Sequence, residues 1–459
     1  YTEYGYTERD AAASIVQNNL FGLDIDDRSA QIAYFAIMMK AMQYDKRFLK
    51  RGIQPHFYSI QESNGIDSYT VDYFTKGNVS LKKDISSIIS DFKDAKEYGS
   101  IIQVAPVDFT ALYARFDEIK SGSDINLYSQ ATISYLLPLV QVAEVMSKQY
   151  AVVATNPPYL NKYDPKLKNY INDNYKDYSG DLFSVFMYRN FGFCEHGGYS
   201  GFMTPFVWMF IKTYEKLREF VVNQKSITTL IQFEYSAYKE ATVPICSFVF
   251  QNSIPNTNGE YFRLVEFSGG MEVQKNKIYE ALSNVATCKY LYETNQKNYD
   301  QIAGVPIAYW LSDYAFSICS DQKTFDDFAK TRAGMITGNN NLFMRLWHEV
   351  DYTKMGIRIH SREAAVASKK KWFPYNKGGE YRKWYGNNEY VVNWENDGSY
   401  MRNFKDEKGK IPAHAFNLEY IFKENVTWNS LSSYKFAARY TDYGFLYDAS
   451  GSFADVKSE

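Results

Sequence analysis

Apolar positions along the first two thirds of the chain follow two different spacings. Short continuous runs bounded by turn residues, at Leu20-Phe21-Gly22-Leu23, Tyr150-Ala151-Val152-Val153-Ala154 and over residues 227–233 and 245–251, predict buried strands. Runs with apolar residues three and four apart predict helices over residues 28–42, 81–92 and 133–148, the last carrying Ile133, Leu136, Leu137, Val140 and Ala143 on its faces. Thr7 precedes a helical stretch with Asp10 at its third position, which is the pattern of an N-cap. Asp181 opens an amphipathic helix, where a negative charge favours the helix dipole. Residues 197–205 read as a turn and a strand, and Phe206-Val207-Trp208 leads into a helix carrying Tyr214, Leu217 and Phe220. Strand and helix alternate through this half, which predicts an α/β fold: a doubly wound sheet with an antiparallel ending. Residues 44–149 are too many for one connection and predict a helical insertion, with a single strand expected at residues 98–104.

The pattern changes after about residue 284. Between residues 354 and 384 stand nine Lys or Arg against two Glu, interleaved with Trp372, Phe373, Tyr375, Tyr381 and Trp384. Pro374 and Gly378-Gly379 give this stretch a loop-like character. Cations beside aromatics suit phosphate contact and base stacking, whereas a solvated face has no use for so many rings. Residues 332–341, rich in Gly and Asn, lack the lysine and spacing of a phosphate loop and read as a turn.

Composition narrows the class. A length of 459 residues is enough for two or three domains, and the charged fraction of 23% against 45% hydrophobic is that of a globular chain. The net charge of −2 excludes a uniformly basic nucleic-acid coat, so phosphate binding has to be local. Aromatics reach 17%, with 41 tyrosines, which fits either plainly amphipathic surfaces or surfaces that stack on bases or sugars. Cys194, Cys246, Cys288 and Cys319 are scattered and no histidine clusters with them, so neither a metal site nor a disulfide framework is expected. No run is long and apolar enough for a membrane span, and a reducing, cytoplasmic setting is expected.

The chemistry concentrates at Asn156-Pro157-Pro158-Tyr159, directly after the Val-Val-Ala strand. Two prolines must end that strand, and Pro158 also keeps Pro157 out of the helical region. A stiff turn at the C-terminal edge of a sheet results, where open α/β folds bind ligands. It presents an amide, a backbone carbonyl and a ring together, a set suited to gripping the amino group of a planar base. At Leu23-Asp24-Ile25-Asp26 a strand ends in acids. Asp24 is placed to accept ribose hydroxyls with Ile25 against an adenine face, and solvated acids at a strand end are the other reading.

These residues resemble the adenine-specific DNA methyltransferases that use S-adenosylmethionine. The Asn156–Tyr159 string resembles their catalytic motif, Gly22-Leu23-Asp24-Ile25-Asp26 their ribose strand, and Asp181-Leu182-Phe183 and residues 197–201 the segments after the catalytic loop. Closer still is the large methyltransferase of bacterial BREX phage-defence systems, similar through residues 34–41, 204–209 and 372–380. The resemblance implies a Rossmann-like methyltransferase domain over residues 1–285 and an α+β target-recognition domain over residues 286–459, incomplete at its C-terminal end. It implies transfer of a methyl group to adenine N6, with Asn156, Pro157, Pro158 and Tyr159 catalytic and Tyr238 stacking on a flipped base. Tyr235, one turn earlier, competes for that role, and either ring could instead pack under the sheet. Asp24, Ile25, Asp26 and Asp181 are implied as cofactor contacts. Lys369, Lys370, Lys371, Trp372, Lys377, Arg382 and Lys383 are implied as contacts to double-stranded DNA, with other phage-defence proteins as further partners. No metal is expected. The family's first strand and glycine-rich loop, which hold the methionine end of the cofactor, have no counterpart here, so the chain is expected to be an internal piece of a longer enzyme. Two alternatives stay open: a DNA- or partner-binding fragment without catalysis, and a methyltransferase acting on RNA or on a protein glutamine.

Overall fold

Acidic and hydroxyl side chains start the helices that frame the site. Thr7 accepts the Asp10 amide at 3.2 Å and opens the helix Glu8–Asn18. Asp26 accepts the amides of Arg28 and Ser29 and opens Asp27–Tyr44. Asp164, with Pro165 at the first helical position, opens Pro165–Asn174. Asp181 forms a capping box with Ser184 and opens Leu182–Phe193. The computed structural model describes residues 1–122, 126–235, 243–321, 325–430 and 435–456. It divides into two compact units, 1–320 and 321–459.

The first unit contains strands β1 (Phe21–Asp24), β2 (His56–Ser59), β3 (Tyr150–Thr155), β4 (Cys194–Pro205), β5 (Ser226–Gln232), β6 (Ile245–Gln251), β7 (Gly259–Arg263) and β8 (Leu291–Thr294). A six-stranded mixed sheet runs in the order β3-β4-β6-β5-β7-β8, with β3 parallel to β4 and β6 antiparallel to both its neighbours. Strands β1 and β2 form a separate parallel pair. Register sets Thr155 opposite Phe202, so the C-terminal ends of β3 and β4 lie together. Gly198 permits this approach: a Cβ there would stand 2.7 Å from the Ala151 carbonyl. Trp208, Phe248, Phe250 and Tyr261 fill the core of this sheet. Tyr299, Ile307, Tyr309 and Phe316 pack into the same core, and for that reason the division falls after residue 320 rather than after 285.

The insertion is helical and has its own core, in which Ile85, Ile88, Phe92, Leu112, Phe116 and Leu139 are fully buried. The strand expected at residues 98–104 is a helical turn, Ala95–Tyr98, followed by the 3-10 turn Gly99–Ile101. Gly99 at φ +62° breaks any extended run, and the Tyr98 ring stacks on Tyr170 at 4.3 Å. The insertion's strand is β2 instead. Its four residues are all half-buried, so no alternation marks it in the sequence.

The second unit holds β9 (Ala329–Arg332), β10 (Met344–Leu346), β11 (Trp372–Asn376), β12 (Tyr390–Asn393), β13 (Asn425–Asn429), β14 (Ala438–Thr441), β15 (Leu446–Tyr447) and β16 (Gly451–Val456). They form two four-stranded sheets, β10-β12-β11-β15 and β14-β13-β16-β9, around Phe373, Tyr375, Trp394, Phe422 and Leu446. The stretch around Pro374, expected to be a loop, contains the internal strand β11. Phe373 and Tyr375 both turn inward, and pairing to β15 starts only at Tyr375, one residue past the missing proline N–H. Residues 332–341, expected to be a turn, leave β9, form bridges at Met335 and Ile336 and enter the short helix Asn340–Phe343. Only glycine fits at 334, where a Cβ would lie 2.3 Å from the Asp448 carbonyl.

Candidate active site

The turn after β3 carries Asn156, Pro158 and Tyr159 exposed and Pro157 buried. Tyr159 folds back over the end of β4. Its hydroxyl lies 3.2 Å from both Asn156 Oδ1 and the Met203 carbonyl, and donates to one of them at a time. Its ring stands edge-on to Phe183 with centroids 6.3 Å apart. The amide of Asn156 and the phenol of Tyr159 are thereby oriented by each other and by β4. Among the described residues no hydrogen bond reaches the Pro157 carbonyl.

Asp181 fastens this turn from below. One carboxylate oxygen accepts the Leu160 amide at 2.9 Å and the Phe183 amide at 3.3 Å, and the Leu182 amide donates to the Leu160 carbonyl at 2.9 Å. The side chain is 7% exposed. Burial pushes its carboxyl above the usual range, against the pull of the amides of Leu160, Phe183 and Leu182. The residue expected to touch a cofactor thus holds the Asn156 turn to the helix Leu182–Phe193.

Asp24 and Ile25 are exposed at the end of β1, and Asp24 Oδ1 accepts the Asp26 amide at 2.9 Å. Asp26 is the helix cap described above. The side-chain hydrogen bond from Arg28, with the amides of Ser29 and Arg28, holds its carboxyl below the usual range. A cavity of about 470 Å³ is lined by residues 19–23 on one side, by Val152, Val153, Ala154 and Thr155 on the other, and by Asn190. Leu23 and Thr155 line it, and Asp24 and Asn156 are the residues that follow them in the chain. The structure thus brings the acid-ended strand β1 and the strand β3 that leads into the Asn156 turn to one cavity.

Tyr238 lies outside the described residues. Tyr235 is 62% exposed, which removes the packed alternative for that ring. In the second unit the basic residues separate into two groups. Lys369, Lys370, Lys371 and Trp372 lead into β11, where Lys370 donates to the Thr353 carbonyl and Lys371 lies 5.6 Å from the Trp372 ring. Lys377 is drawn to Asp448 at 3.8 Å, whereas Arg382 and Lys383 are exposed in the loop after β11. Leu160 and Met203, which position the turn, carried no individual signal in the sequence. Both act through backbone atoms, which composition does not reveal. Among the described residues no group of His, Cys, Asp and Glu is arranged to hold a metal, and no helix is long and apolar enough to cross a membrane.

Residues 18–238 match the family model of the Eco57I restriction-modification methylase. Over 98% of its length the chain is 34% identical to an adenine-specific methyltransferase PglX from Lacticaseibacillus casei (strain Zhang) and 33% identical to an adenine-specific methyltransferase BrxX from Escherichia coli O9:H4 (strain HS). It spans 38% of the length of each. A superposition on the Type IIL restriction-modification enzyme MmeI in complex with DNA covers all of this chain and 59% of that one, at 10% identity and a TM-score of 0.49. Likeness of that degree leaves the fold to be argued from the sheets themselves. The resemblance drawn from the tetrapeptide and its flanking segments is borne out by the curated relatives, which are adenine-specific methyltransferases.

Proposed function

We propose that the chain carries the acceptor half of an active site that transfers a methyl group from S-adenosylmethionine to N6 of adenine in DNA, as the marking step of a phage-defence system. The observation that carries this reading is the Asn156 turn itself: a side-chain carbonyl and a backbone carbonyl with no hydrogen-bond partner among the described residues, held at the sheet edge beside an oriented aromatic ring. The lone pair of adenine N6 is delocalised into its ring and attacks poorly. Asn156 Oδ1 and the Pro157 carbonyl each accept one N6 hydrogen, draw the nitrogen towards tetrahedral geometry and stabilise the ammonium charge that develops. Tyr159 lies against the base, and Tyr238 is proposed for the opposite face, offsetting a few kcal/mol of stacking lost when the base leaves the duplex.

The donor supplies an electrophilic methyl group when bound. Asp24 and Ile25, exposed next to the cavity-lining Leu23, fit its ribose and adenine end, and among the described residues Asp24 Oδ2 has no hydrogen-bond partner. Among the described residues none is placed for its methionine end. We read the fold accordingly as Rossmann-like and doubly wound. Among the described residues the outer edges of β1 and β3 are unpaired, both strands line the same cavity, and one further strand between them would join the two sheets of the first unit into one. On this reading Asp181 acts on the cofactor through the turn it fastens. The competing reading, a DNA- or partner-binding piece without catalysis, draws on the same half-built donor pocket. Calorimetry of this chain with S-adenosylmethionine separates the two, since heat of binding supports the first. In the full-length protein Asn156→Ala should lower methyl transfer to duplex DNA at least about 100-fold. Turnover near that of the wild type would sink the assignment.

A further inference from the structure

The loop between β11 and β12 holds a tryptophan in a conformation that the residue type disfavours. Trp384 has φ +74°, a left-handed backbone that a bulky side chain adopts only when its surroundings impose it. The imposition is visible. The Trp384 amide donates to the Ala438 carbonyl at 2.9 Å, and its own carbonyl accepts from the Tyr440 amide at 3.0 Å, so the residue is clamped to β14 from both sides. Beneath the clamp, Arg439 is 1% exposed and meets no carboxylate among the described residues. It donates to the Arg382 carbonyl at 3.2 Å and to Asn429 Oδ1 at 2.8 Å, while the Asn429 amide donates to the Gly379 carbonyl. Burial lowers the pKa of this guanidinium, so the fold tolerates a desolvated charge where it rivets the loop.

The arrangement leaves most of the Trp384 side chain in water. Trp384 is 72% exposed and Tyr385 75%, two large rings side by side in water. Their neighbours are cations: Lys383 Nζ lies 4.7 Å from the Trp384 ring and meets no carboxylate among the described residues, and Arg382 is half exposed with Glu389 at 3.7 Å. Strain, exposed aromatic area and local positive charge therefore coincide on one rigid loop. A partner that offers flat apolar faces next to regularly spaced anions answers all three.

We propose that Trp384, with Tyr385 beside it, is an aromatic wedge that enters the base stack of duplex DNA, while Arg382 and Lys383 hold the flanking phosphates. This rests on the DNA reading above and assigns to the loop a task that the basic residues alone do not have. Arg439 is a positioning residue: it holds the loop and touches no nucleotide.

The test uses the full-length protein, with fluorescein-labelled duplex titrated by anisotropy at several salt concentrations. Trp384→Gly removes the ring and suits the positive φ, so its melting temperature should equal or exceed that of the wild type. Its affinity should nevertheless fall about 5- to 150-fold, the range for losing one stacked base. The slope of log Kd against log salt should stay unchanged, because an indole releases no counterions. Lys383→Ala should instead lower that slope by about one, and Trp384→Phe should restore most of the affinity. A 2-aminopurine scan of the duplex should show, apart from the flipped target base, a second position that brightens with the wild type and stays dark with Trp384→Gly. Wild-type affinity in Trp384→Gly, or an identical 2-aminopurine profile, overturns the wedge. A wild-type protein that binds no duplex overturns the DNA reading itself, a different result.

Discussion

Replacing Asp181 separates the two tasks of a buried carboxylate. In Asp181→Ala the helix Leu182–Phe193 loses its cap, which costs about 1 kcal/mol. The Leu160 amide loses a charged acceptor at 2.9 Å, a bond worth about 1.5–3 kcal/mol. Part of this is offset because the ionised carboxylate was costly to bury, so the net expectation is about 2–4 kcal/mol of destabilisation. Asp181→Asn keeps an oxygen for both amides and sheds the buried charge, and should cost less than about 1 kcal/mol. The folded chain holds the Asp181 proton more tightly than the unfolded chain, because its carboxyl lies above the ordinary value of 3.8. The stability this contributes is present in full below 3.8 and is lost as pH rises through the folded value. An asparagine side chain at this position has no such proton to lose. Asp181→Asn should therefore gain on the wild type as pH rises through that window and hold its gain at pH 7. Urea unfolding of the three proteins at acid and neutral pH measures this. Equal destabilisation by Asn and Ala at pH 7 would refute the reasoning, because it would mean that the negative charge itself is required.

Two further outcomes follow from contacts of the first unit. Tyr159→Phe removes a hydroxyl shared between Asn156 Oδ1 and the Met203 carbonyl while keeping the ring, so kcat of the full-length enzyme should fall about 5-fold, the equivalent of one ordinary hydrogen bond, with stability unchanged; a loss beyond about 100-fold would place the hydroxyl in the chemistry itself. Arg218 is fully buried and donates to the carbonyls of Trp208, Ile211, Gly304 and Val305, so Arg218→Met should cost about 3 kcal/mol in urea unfolding, and a loss under 1 kcal/mol would show that water replaces it.

The helices and the long strands of the first unit were legible because local signals and burial agree there. Thr7 caps in the structure where its position suggests, Asp181 starts its helix as expected, and β5 and β6 follow their apolar runs, whereas the capping role of Asp26 was not read from the sequence. Strand β2 was illegible because it alternates nowhere, and residues 98–104 misled because Ile101 and Ile102 are buried by a turn instead of a strand. Pro374 hid β11, since the position of its missing N–H matters only once the neighbouring strand is known. At the site, Asn156 and Tyr159 announced themselves by type. The bracket through Leu160 and Met203 runs through backbone atoms and could not. The clamp on Trp384 is of the same kind: the sequence contains the ring, and only the fold contains its φ.

The sheet order of the second unit has a consequence for how the chain is made. Among the described residues β9 pairs only with β16, and β16 begins 119 residues after β9 ends, between Arg332 and Gly451. At about 5–20 residues per second on a ribosome, β9 waits about 6–24 s for its partner. Strand β13 acquires β14 promptly and then waits for the same β16 on its other edge. Closure of this sheet is therefore a late, long-range event, with two strand edges open until one short segment arrives, and that interval is when the nascent second unit is most exposed to mispairing.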